Sequence, residues 1–500
     1  MEILQTYNSI IPFYAIIVSI IAVPLIIISG KFPNLREFWT IFAALVKFGL
    51  VLSLLPGSIE GKAAIYSLLE IAPGIELALK ADQFGVFFAL IASGLWIFTT
   101  FYSIGYVRGN DERKQTRYFA SFAVCLSATI GIAFSANLLT FIVFYEILTI
   151  ATYPLVIHKE NKEAISAGRK YLLYTLSAGV ILIAAAGLTY TYAGTLNFNP
   201  GGIFKSIKLS QGSATVLFLL FLAGVGVKAG IMPLHSWLPA AMAAPTPVSA
   251  LLHAVAVVKS GVFGVVRVVG FIFGPEMMYN YGLNNILLAF AGVTIIAASL
   301  LALKQDNLKR RLAYSTVGHL SYIVLGVALL SPSGFSGGIF HIATHATMKI
   351  TLFFCAGAIY VNFHKENISE LNGIGKVMPW TMAAFTIGSM GLAGIPPING
   401  FISKWFLGVG ALQADMSTAL IILVLSGLLN AGYFFPIIHR AFFREGKNLE
   451  GYGEASLLMV VPIVIMAFLS LLFGLFPDLF FNFFSTAVNV SSSVMGGFLR

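Results

Sequence analysis

Long runs of apolar residues, separated by short polar stretches, extend along almost the whole chain; one example is LLAFAGVTIIAASLLAL at 287–303. A helix that crosses a bilayer needs roughly 20 apolar residues. Strands of a membrane β-barrel would alternate in polarity instead, and these uninterrupted runs do not. The pattern predicts an all-α polytopic membrane protein with about fourteen transmembrane spans, at 9–29, 38–55, 83–106, 118–135, 137–157, 171–192, 214–232, 247–272, 284–303, 312–331, 337–361, 379–410, 416–440 and 455–478.

The spans group into four predicted units. Residues 1–117 form an N-terminal three-span region, in which the mixed segment 56–82 is a surface connection. We expect the first span, which lacks a basic lead-in, to be retained rather than cleaved as a signal peptide. The other units are 118–272 with spans four to eight, 273–440 with spans nine to thirteen, and 441–500 with the last span and tail.

Composition and charge agree with a membrane protein. The chain is 58% hydrophobic and only 10% charged, whereas soluble domains carry about 25% charged residues. Most lysines and arginines fall in loops after odd-numbered spans, which the positive-inside rule places in the cytoplasm. We therefore expect a cytoplasmic-membrane protein with both termini outside, whose net charge of +10 reflects topology and not nucleic-acid binding.

Six basic residues lie inside predicted spans. A charge at the centre of a membrane helix costs roughly 2.5–3.5 kcal/mol and usually serves an ion or proton path. Lys47 and Arg267 lie near span ends, so we expect both side chains to snorkel to the membrane surface. The other four are candidates for proton binding: Lys228, Lys259, Lys349 and Lys404. A structural ion pair is the alternative for the first three.

Glu146 is the only acidic residue of TFIVFYEILTIATYPL and lies at mid-span. A carboxylate and a lysine that meet in a membrane stabilise each other's charged forms. Separating them favours release of the lysine proton. A pair such as Glu146 and Lys228 could thus store and release a proton without a metal or covalent chemistry.

The stretch HIATHATMK at 341–349 places His341, His345 and Lys349 four residues apart, on one stripe of a helix. Histidine titrates near neutral pH, so such a stripe could relay protons. His319 and His253 lie within or near spans, where each could equally be a satisfied core residue. We expect no haem, because the chain lacks a Cys-x-x-Cys-His motif. Its two cysteines cannot build a zinc or iron–sulfur site either.

Two spans contain a proline break with a shared pattern, AGIMPLHSWLP at 229–239 and AGIPPINGFISKWF at 393–406. Proline interrupts a helix, and a membrane tolerates this only where protein or water satisfies the freed backbone groups. Paired breaks in two halves are typical of transporters built from inverted repeats. The breaks lie five spans apart, so the pattern predicts two inverted five-helix repeats, each with a broken helix.

Four motifs together resemble the antiporter-like subunit family. They are GVGVKAGIMPLHSWLPAAMAAPTPVSALLHAVAVVKSGVF, KQDNLKRRLAYSTVGHLSYIVLG, HIATHATMKITLFFCAGAIY and GLAGIPPINGFISKWF, within a similarity that covers roughly 80–445. Members of this family include the A-type and D-type subunits of Mrp cation/proton antiporters, and the equivalent subunits of membrane-bound hydrogenase, sulfane reductase and respiratory complex I. In size the chain is most similar to the D-type subunits of Mrp antiporters and their hydrogenase-type relatives.

The resemblance implies functional positions in this sequence. Glu146 matches the glutamate of the fifth span, and Lys228 and Lys259 match the lysines of the seventh and eighth. Lys349 and His345 match the motif of the eleventh span, and Lys404 matches the last ionisable group of the twelfth. The secondary candidates for the proton path are His235, His253, His319 and His341.

These patterns predict a proton-translocating, antiporter-like subunit of a larger membrane complex, without a cofactor or metal of its own. Its expected partners are other membrane subunits, including further antiporter-like or small Mrp-type subunits, together with lipid, H⁺ and in some assemblies Na⁺. A stand-alone secondary transporter of a small solute is the alternative, since broken helices suit it equally well. The sequence leaves open whether the parent complex is an antiporter or an oxidoreductase.

Overall fold

The structure is a computed structural model that describes residues 5–72, 74–446, 453–496 and 498. Its N-terminal region combines helices with a small three-stranded sheet, in which β1 runs parallel and β3 antiparallel to the central β2. The sheet was not predicted; β2 and β3 occupy the segment expected to be a surface connection, and β1 lies before the first helix. The elements are β1 Gln5–Asn8, α1 Ile11–Ile28, α2 Pro33–Leu52, α3 Leu55–Ile59, β2 Lys62–Ala72, β3 Ile75–Ala81 and α4 Gln83–Gly109.

The first predicted repeat begins with long helices and ends in a helix that contains two π-helical segments. Helix α8 ends at the first break, and a short helix follows it. Around α11, the segments Leu251–Val255 and Val268–Phe273 are π-helical. The α-helices are α5 Gln115–Ala133, α6 Leu138–Val156, α7 Lys162–Ala193, α8 Gln211–Ala229, α9 Trp237–Ala240, α10 Thr246–Ala250 and α11 Val257–Arg267.

The second predicted repeat has its own mid-span break, between α17 and α18. Two further helices lie in the C-terminal part that the structure describes, and α21 packs against α15 and α4. The α-helices are α12 Pro275–Asn280, α13 Leu283–Lys304, α14 Leu308–Ala328, α15 Pro332–Phe363, α16 Ile374–Val377, α17 Pro379–Ala393, α18 Asn399–Gln413, α19 Ser417–Phe443, α20 Leu457–Leu475 and α21 Phe483–Met495.

Twelve helices of the described chain are long and apolar enough to cross a membrane. The prediction of a helical, multi-pass membrane fold is confirmed. Two predicted spans are not among the twelve: α14, which begins with three basic residues, and the α17–α18 unit, which the break divides into two helices of 15 residues each. The total of fourteen spans stays a prediction.

Two pairs of asparagines occupy matching places in the two predicted repeats. Asn137 caps α6 and forms an isolated bridge to Asn197, while Asn307 caps α14 and bridges to Asn367. The members of each pair are 60 residues apart by their numbers (197 − 137 and 367 − 307). This equal spacing supports two repeats of one helical hairpin. The inverted repeat itself stays a prediction.

The expectation that Lys47 and Arg267 snorkel to the membrane surface is wrong. Lys47 is fully buried and donates a hydrogen bond to Ser19 Oγ at 2.5 Å. Arg267 is 1% exposed and forms a two-pronged ion pair with Asp82, with N···O distances of 2.7 and 2.8 Å. Position near the end of a span did not decide the outcome, because neighbouring helices and the chain before α4 enclose both side chains.

The Asp82–Arg267 pair ties the start of α4 to the end of α11. Asp82 also accepts a hydrogen bond from Gly85 N at 2.8 Å, which caps α4. The aromatic rings of Phe84, Phe263 and Phe271 surround the guanidinium, with centroids 4.5–5.3 Å from Cζ. Since little water reaches this pair, losing one partner would strand the other charge.

We therefore expect Asp82→Asn to destabilise the protein by about 3–5 kcal/mol, the usual cost of breaking a buried ion pair. The midpoint of thermal unfolding in detergent would fall by several degrees. The control is Arg310→Ala, which removes an exposed pair with Glu163 (side chains 53% and 65% exposed) and should cost about 0–1 kcal/mol. Equal midpoints for the two variants would contradict this assignment.

Candidate functional site

The first helix break lies between α8 and α9. Helix α8 ends in Gly230, whose positive φ of 71° suits glycine, and the chain then turns through a proline. Trp237 reaches back across the break, and its indole Nε1 donates to Val227 O at 2.8 Å. Met232 N donates to Thr294 Oγ1 at 3.0 Å. Thr294 thus satisfies a backbone N–H at the break, and Trp237 adds a second donor to Val227 O, which also accepts from Gly230 N at 3.1 Å.

The second break, between α17 and α18, is built in a similar way with a charged side chain. Helix α17 ends in Gly394, with φ of 94°. Lys404, one turn into α18, reaches back so that its Nζ donates to Leu392 O at 2.5 Å and Ala393 O at 3.1 Å. The predicted site residue therefore caps the carbonyl end of the preceding half-helix, where a cation is favoured by the helix dipole.

Lys228 is the penultimate residue of α8 and is fully buried. Its Nζ donates to Tyr145 O at 2.6 Å and lies 3.4 Å from the centroid of the Tyr145 ring. Sequence reasoning missed Tyr145, although it directly precedes the predicted glutamate. The residue offers a carbonyl and a π face, and both hold an ammonium group.

Glu146 lies beside this arrangement without a direct ion pair to Lys228. No oxygen of Glu146 comes within 4.0 Å of Lys228 Nζ. The carboxyl packs against α7 at Gly179, where an added Cβ would lie only 2.4 Å from Oε1. Oε1 is buried and has no hydrogen-bond partner among the described residues. The two candidates are thus on neighbouring helices, with Lys228 held by the residue next to Glu146.

Lys259 and His345 are brought into direct contact. Lys259 is fully buried on α11, directly after the π-helical turn, and its Nζ lies 2.8 Å from His345 Nδ1. π-Helical turns are frequent at functional sites. The other ring nitrogen of His345 is buried and makes no hydrogen bond within the part of the chain that the structure describes.

Three histidines form a compact cluster between α14 and α15. The ring centroids of His319, His341 and His345 are 5.4–5.9 Å apart. His319 Nδ1 lies 3.2 Å from His341 Nε2, and His341 Nδ1 lies 2.8 Å from Ser403 Oγ. The predicted stripe on one helix is therefore completed by His319 from the neighbouring helix. The role of His319 in a relay remains a prediction.

The remaining candidates lie outside this cluster. Lys349 is fully buried and donates to Leu312 O at 3.2 Å. His253 is fully buried, with its ring 4.9 Å from that of Phe353. His235 follows the first break and is only partly buried, with its ring 6.2 Å from that of Tyr314. None of the three contacts another candidate through a hydrogen bond among those described.

Sequence reasoning also missed Asn430 on α19. Its Nδ2 lies 3.3 Å from His319 Nε2 and 3.2 Å from Leu392 O, the same carbonyl that Lys404 contacts. One signal was available: Asn430 is a buried polar residue inside the long apolar run of α19. Polar residues in membrane helices usually face the protein interior.

The site carries an excess of basic groups. No acidic oxygen among the described residues lies within 4.0 Å of the amino groups of Lys228, Lys259, Lys349 or Lys404. Within the same described part of the chain, no group of three or more His, Cys, Asp and Glu side chains could hold a metal ion. What the arrangement can do chemically is to bind protons and pass them between nitrogen atoms.

Comparison of this sequence with known proteins identifies a family and several relatives. Residues 135–430 match the family described as "NADH:quinone oxidoreductase/Mrp antiporter, TM". Hydrogenase-4 component B of Escherichia coli (strain K12) is 31% identical over 83% of this chain and 65% of its own length. The N subunit of the NADH-quinone oxidoreductase of Desulforudis audaxviator (strain MP104C) is also 31% identical, over 78% of this chain and 81% of its own. The chain thus spans about two thirds of the first relative and most of the second.

Two solved structures share the fold. A chain of the Mrp complex from Dietzia sp. DQ12-45-1b superposes with a TM-score of 0.86, at 21% identity and 97% coverage of both chains. A chain of the membrane-bound sulfane sulfur reductase, an archaeal respiratory membrane complex, has a TM-score of 0.86 at 24% identity, covering 97% of this chain and 100% of its own.

The first break yields a stability prediction. Trp237→Phe keeps the ring but removes the indole donor from Val227 O, which still accepts from Gly230 N at 3.1 Å. We therefore expect a loss of about 0.5–1.5 kcal/mol, the usual contribution of one hydrogen bond. Thermal unfolding in detergent measures the loss as a lower midpoint. Trp405→Phe in α18 is the matched control, because that side chain is 60% exposed. A Trp237→Phe protein as stable as the control would show that the break does not depend on this hydrogen bond.

Proposed function

Because the chain belongs to the NADH:quinone oxidoreductase/Mrp antiporter transmembrane family, we propose that it carries protons through the membrane as one antiporter-like subunit of a multisubunit complex. One observation supports this most strongly: a row of lysines and histidines lies inside the helices with no acidic partner within ion-pair distance among the described residues. The row consists of Lys228, Lys259, His345, His319, His341, Lys349 and Lys404. A purely structural ion-pair network would bring acids and bases together in equal number. This row is suited instead to holding a few mobile protons.

The first half would hold a proton at Lys228. When Glu146 turns toward Lys228, the carboxylate stabilises the ammonium, and when it turns away, the proton is easier to release. The position of Lys228 on Tyr145, outside ion-pair distance of Glu146, corresponds to the separated arrangement. We propose that a neighbouring subunit of the complex controls this change by its own charge.

The proton would then move along the middle of the protein. No described side chain bridges Lys228 and Lys259 by hydrogen bonds, so this step needs water between them. Lys259 would next exchange its proton with His345 across the 2.8 Å contact. The histidine cluster offers further nitrogens toward Lys404 at the second break. In this scheme, Lys404 exchanges protons with one aqueous side, while Lys349 and His253 are secondary carriers.

The proposal also covers the membrane location of the chain, its partner subunits and the ions that it transports. We infer that it resides in the cytoplasmic membrane with both termini outside, following the distribution of basic loop residues. Its partners would be further membrane subunits, of antiporter-like or small Mrp type. H⁺ is the transported ion, and exchange against Na⁺ is proposed for assemblies of the antiporter kind. The protein itself would need no cofactor or metal.

The test is proton transport by the whole complex in inverted membrane vesicles, followed with a pH-sensitive dye. Glu146→Gln and Lys228→Met should each reduce transport by about 10²-fold or more, in line with the loss of a positioned proton carrier. Assembly, read from native gels, should be unchanged. Lys47→Met is the matched control, because it removes a buried lysine that lies outside the row. Undiminished transport in an assembled Glu146→Gln or Lys228→Met complex would refute the proposal.

A further inference from the structure

We propose that Asn430 is a positioning residue that joins the histidine cluster to Lys404, an inference that rests on the proposed function. Asn430 lies on α19, whereas the cluster lies on α14 and α15 and Lys404 on α18. It is 1% exposed. Its amide is the one described side chain that bonds both to a cluster histidine and to the carbonyl that holds Lys404.

A hydrogen bond from Tyr433 sets the orientation of the Asn430 amide. Tyr433 Oη donates to Asn430 Oδ1 at 2.6 Å and also lies 2.8 Å from Ser315 Oγ. With its oxygen occupied in this way, the amide must turn its NH₂ group toward the histidine cluster. Tyr433 thus fixes the direction in which the Asn430 NH₂ group points.

The NH₂ group meets more acceptors than it has protons. Three acceptors surround Nδ2: His319 Nε2 at 3.3 Å, Leu392 O at 3.2 Å and Tyr322 Oη at 3.4 Å. An amide nitrogen carries two hydrogens, so at most two of these bonds are well made at one time. Small changes on either side therefore redistribute the bonds.

A bond from Asn430 to His319 Nε2 determines the tautomer of His319. The neutral ring then carries its hydrogen at Nδ1, which faces His341 Nε2 at 3.2 Å. His341 in turn carries its hydrogen at Nδ1 and donates to Ser403 Oγ at 2.8 Å. All donors in this chain point the same way, from Asn430 through both histidines to Ser403.

The state of Lys404 affects this chain through a shared carbonyl. Leu392 O accepts from Lys404 Nζ at 2.5 Å and from Asn430. When Lys404 moves away or loses a proton, Leu392 O becomes a better acceptor for the amide, and the bond to His319 weakens. Asn430 thereby couples the occupancy of the second break to the tautomer of His319.

The ordinary alternative is that Asn430 is a buried polar residue whose role is only structural. Asn284 on α13 offers a comparison, since it is equally buried at 1% exposure. Its amide nitrogen and oxygen have no hydrogen-bond partner among the described residues. Replacing Asn284 therefore tests burial of an asparagine alone, whereas replacing Asn430 also removes the link.

The experiment measures transport by the complete complex in inverted vesicles over a range of pH. Asn430→Leu should lower the rate about tenfold or more and displace the pH profile by about 0.5 pH unit, because the tautomer of His319 is no longer set. Asn430→Gln keeps the amide and should recover at least about a third of the rate, a rescue expected of a positioned donor. Asn284→Leu should retain the wild-type rate and profile.

Two further variants keep the outcome decisive. If Asn430→Leu fails to assemble, Tyr433→Phe removes only the hydroxyl that orients the amide, and an unchanged rate and profile in that variant would overturn the inference. Lys404→Met and Lys228→Met in the same vesicles separate the two hypotheses. If these lysine variants lose transport while Asn430→Leu does not, this inference alone fails. If the lysine variants retain transport, both the proposed function and this inference fail.

Discussion

Backbone polar groups of a helix that breaks inside a membrane must find partners in the protein or its water, because lipid provides none. The two broken helices show how this constraint shapes the molecule. In each break, a side chain from the second half-helix returns to the carbonyl end of the first: Trp237 at one and Lys404 at the other. An indole completes the backbone at the first break, whereas a group able to carry a proton does so at the second. At the second break, the side chain that satisfies the backbone is therefore also an ionisable group.

The two predicted repeats share a framework but not their chemistry. Their asparagine bridges have the same spacing, and both breaks begin at a glycine with positive φ. Yet the first half holds the carboxylate Glu146 beside Lys228, while the second half gathers the histidines. If the two halves are repeats, the different ionisable groups they carry would give the proposed proton path two distinct ends.

The framework and the principal groups could be predicted from sequence because each has a local signal. Apolar runs located the helices, proline pairs located the breaks, and charges within spans identified the lysines. The misses are of another kind. The partners of Lys47 and Arg267, the π face of Tyr145 and the link through Asn430 all arise from contacts between distant segments. The sheet of β1–β3 was missed because its central strand mixes apolar and polar residues without strict alternation.

One close contact joins the helices that carry Lys228 and Lys259. Where α11 crosses the end of α8, a Cβ on Gly261 would lie 2.1 Å from Ala229 N, so the two backbones touch beside Lys228. Interiors packed this closely do not deform continuously. Lys228 directly precedes Ala229, and Lys259 lies two residues before Gly261, so this close packing holds the backbones that carry the two lysines together. In the proposed scheme, protons and side chains move between two helices whose backbones stay in contact.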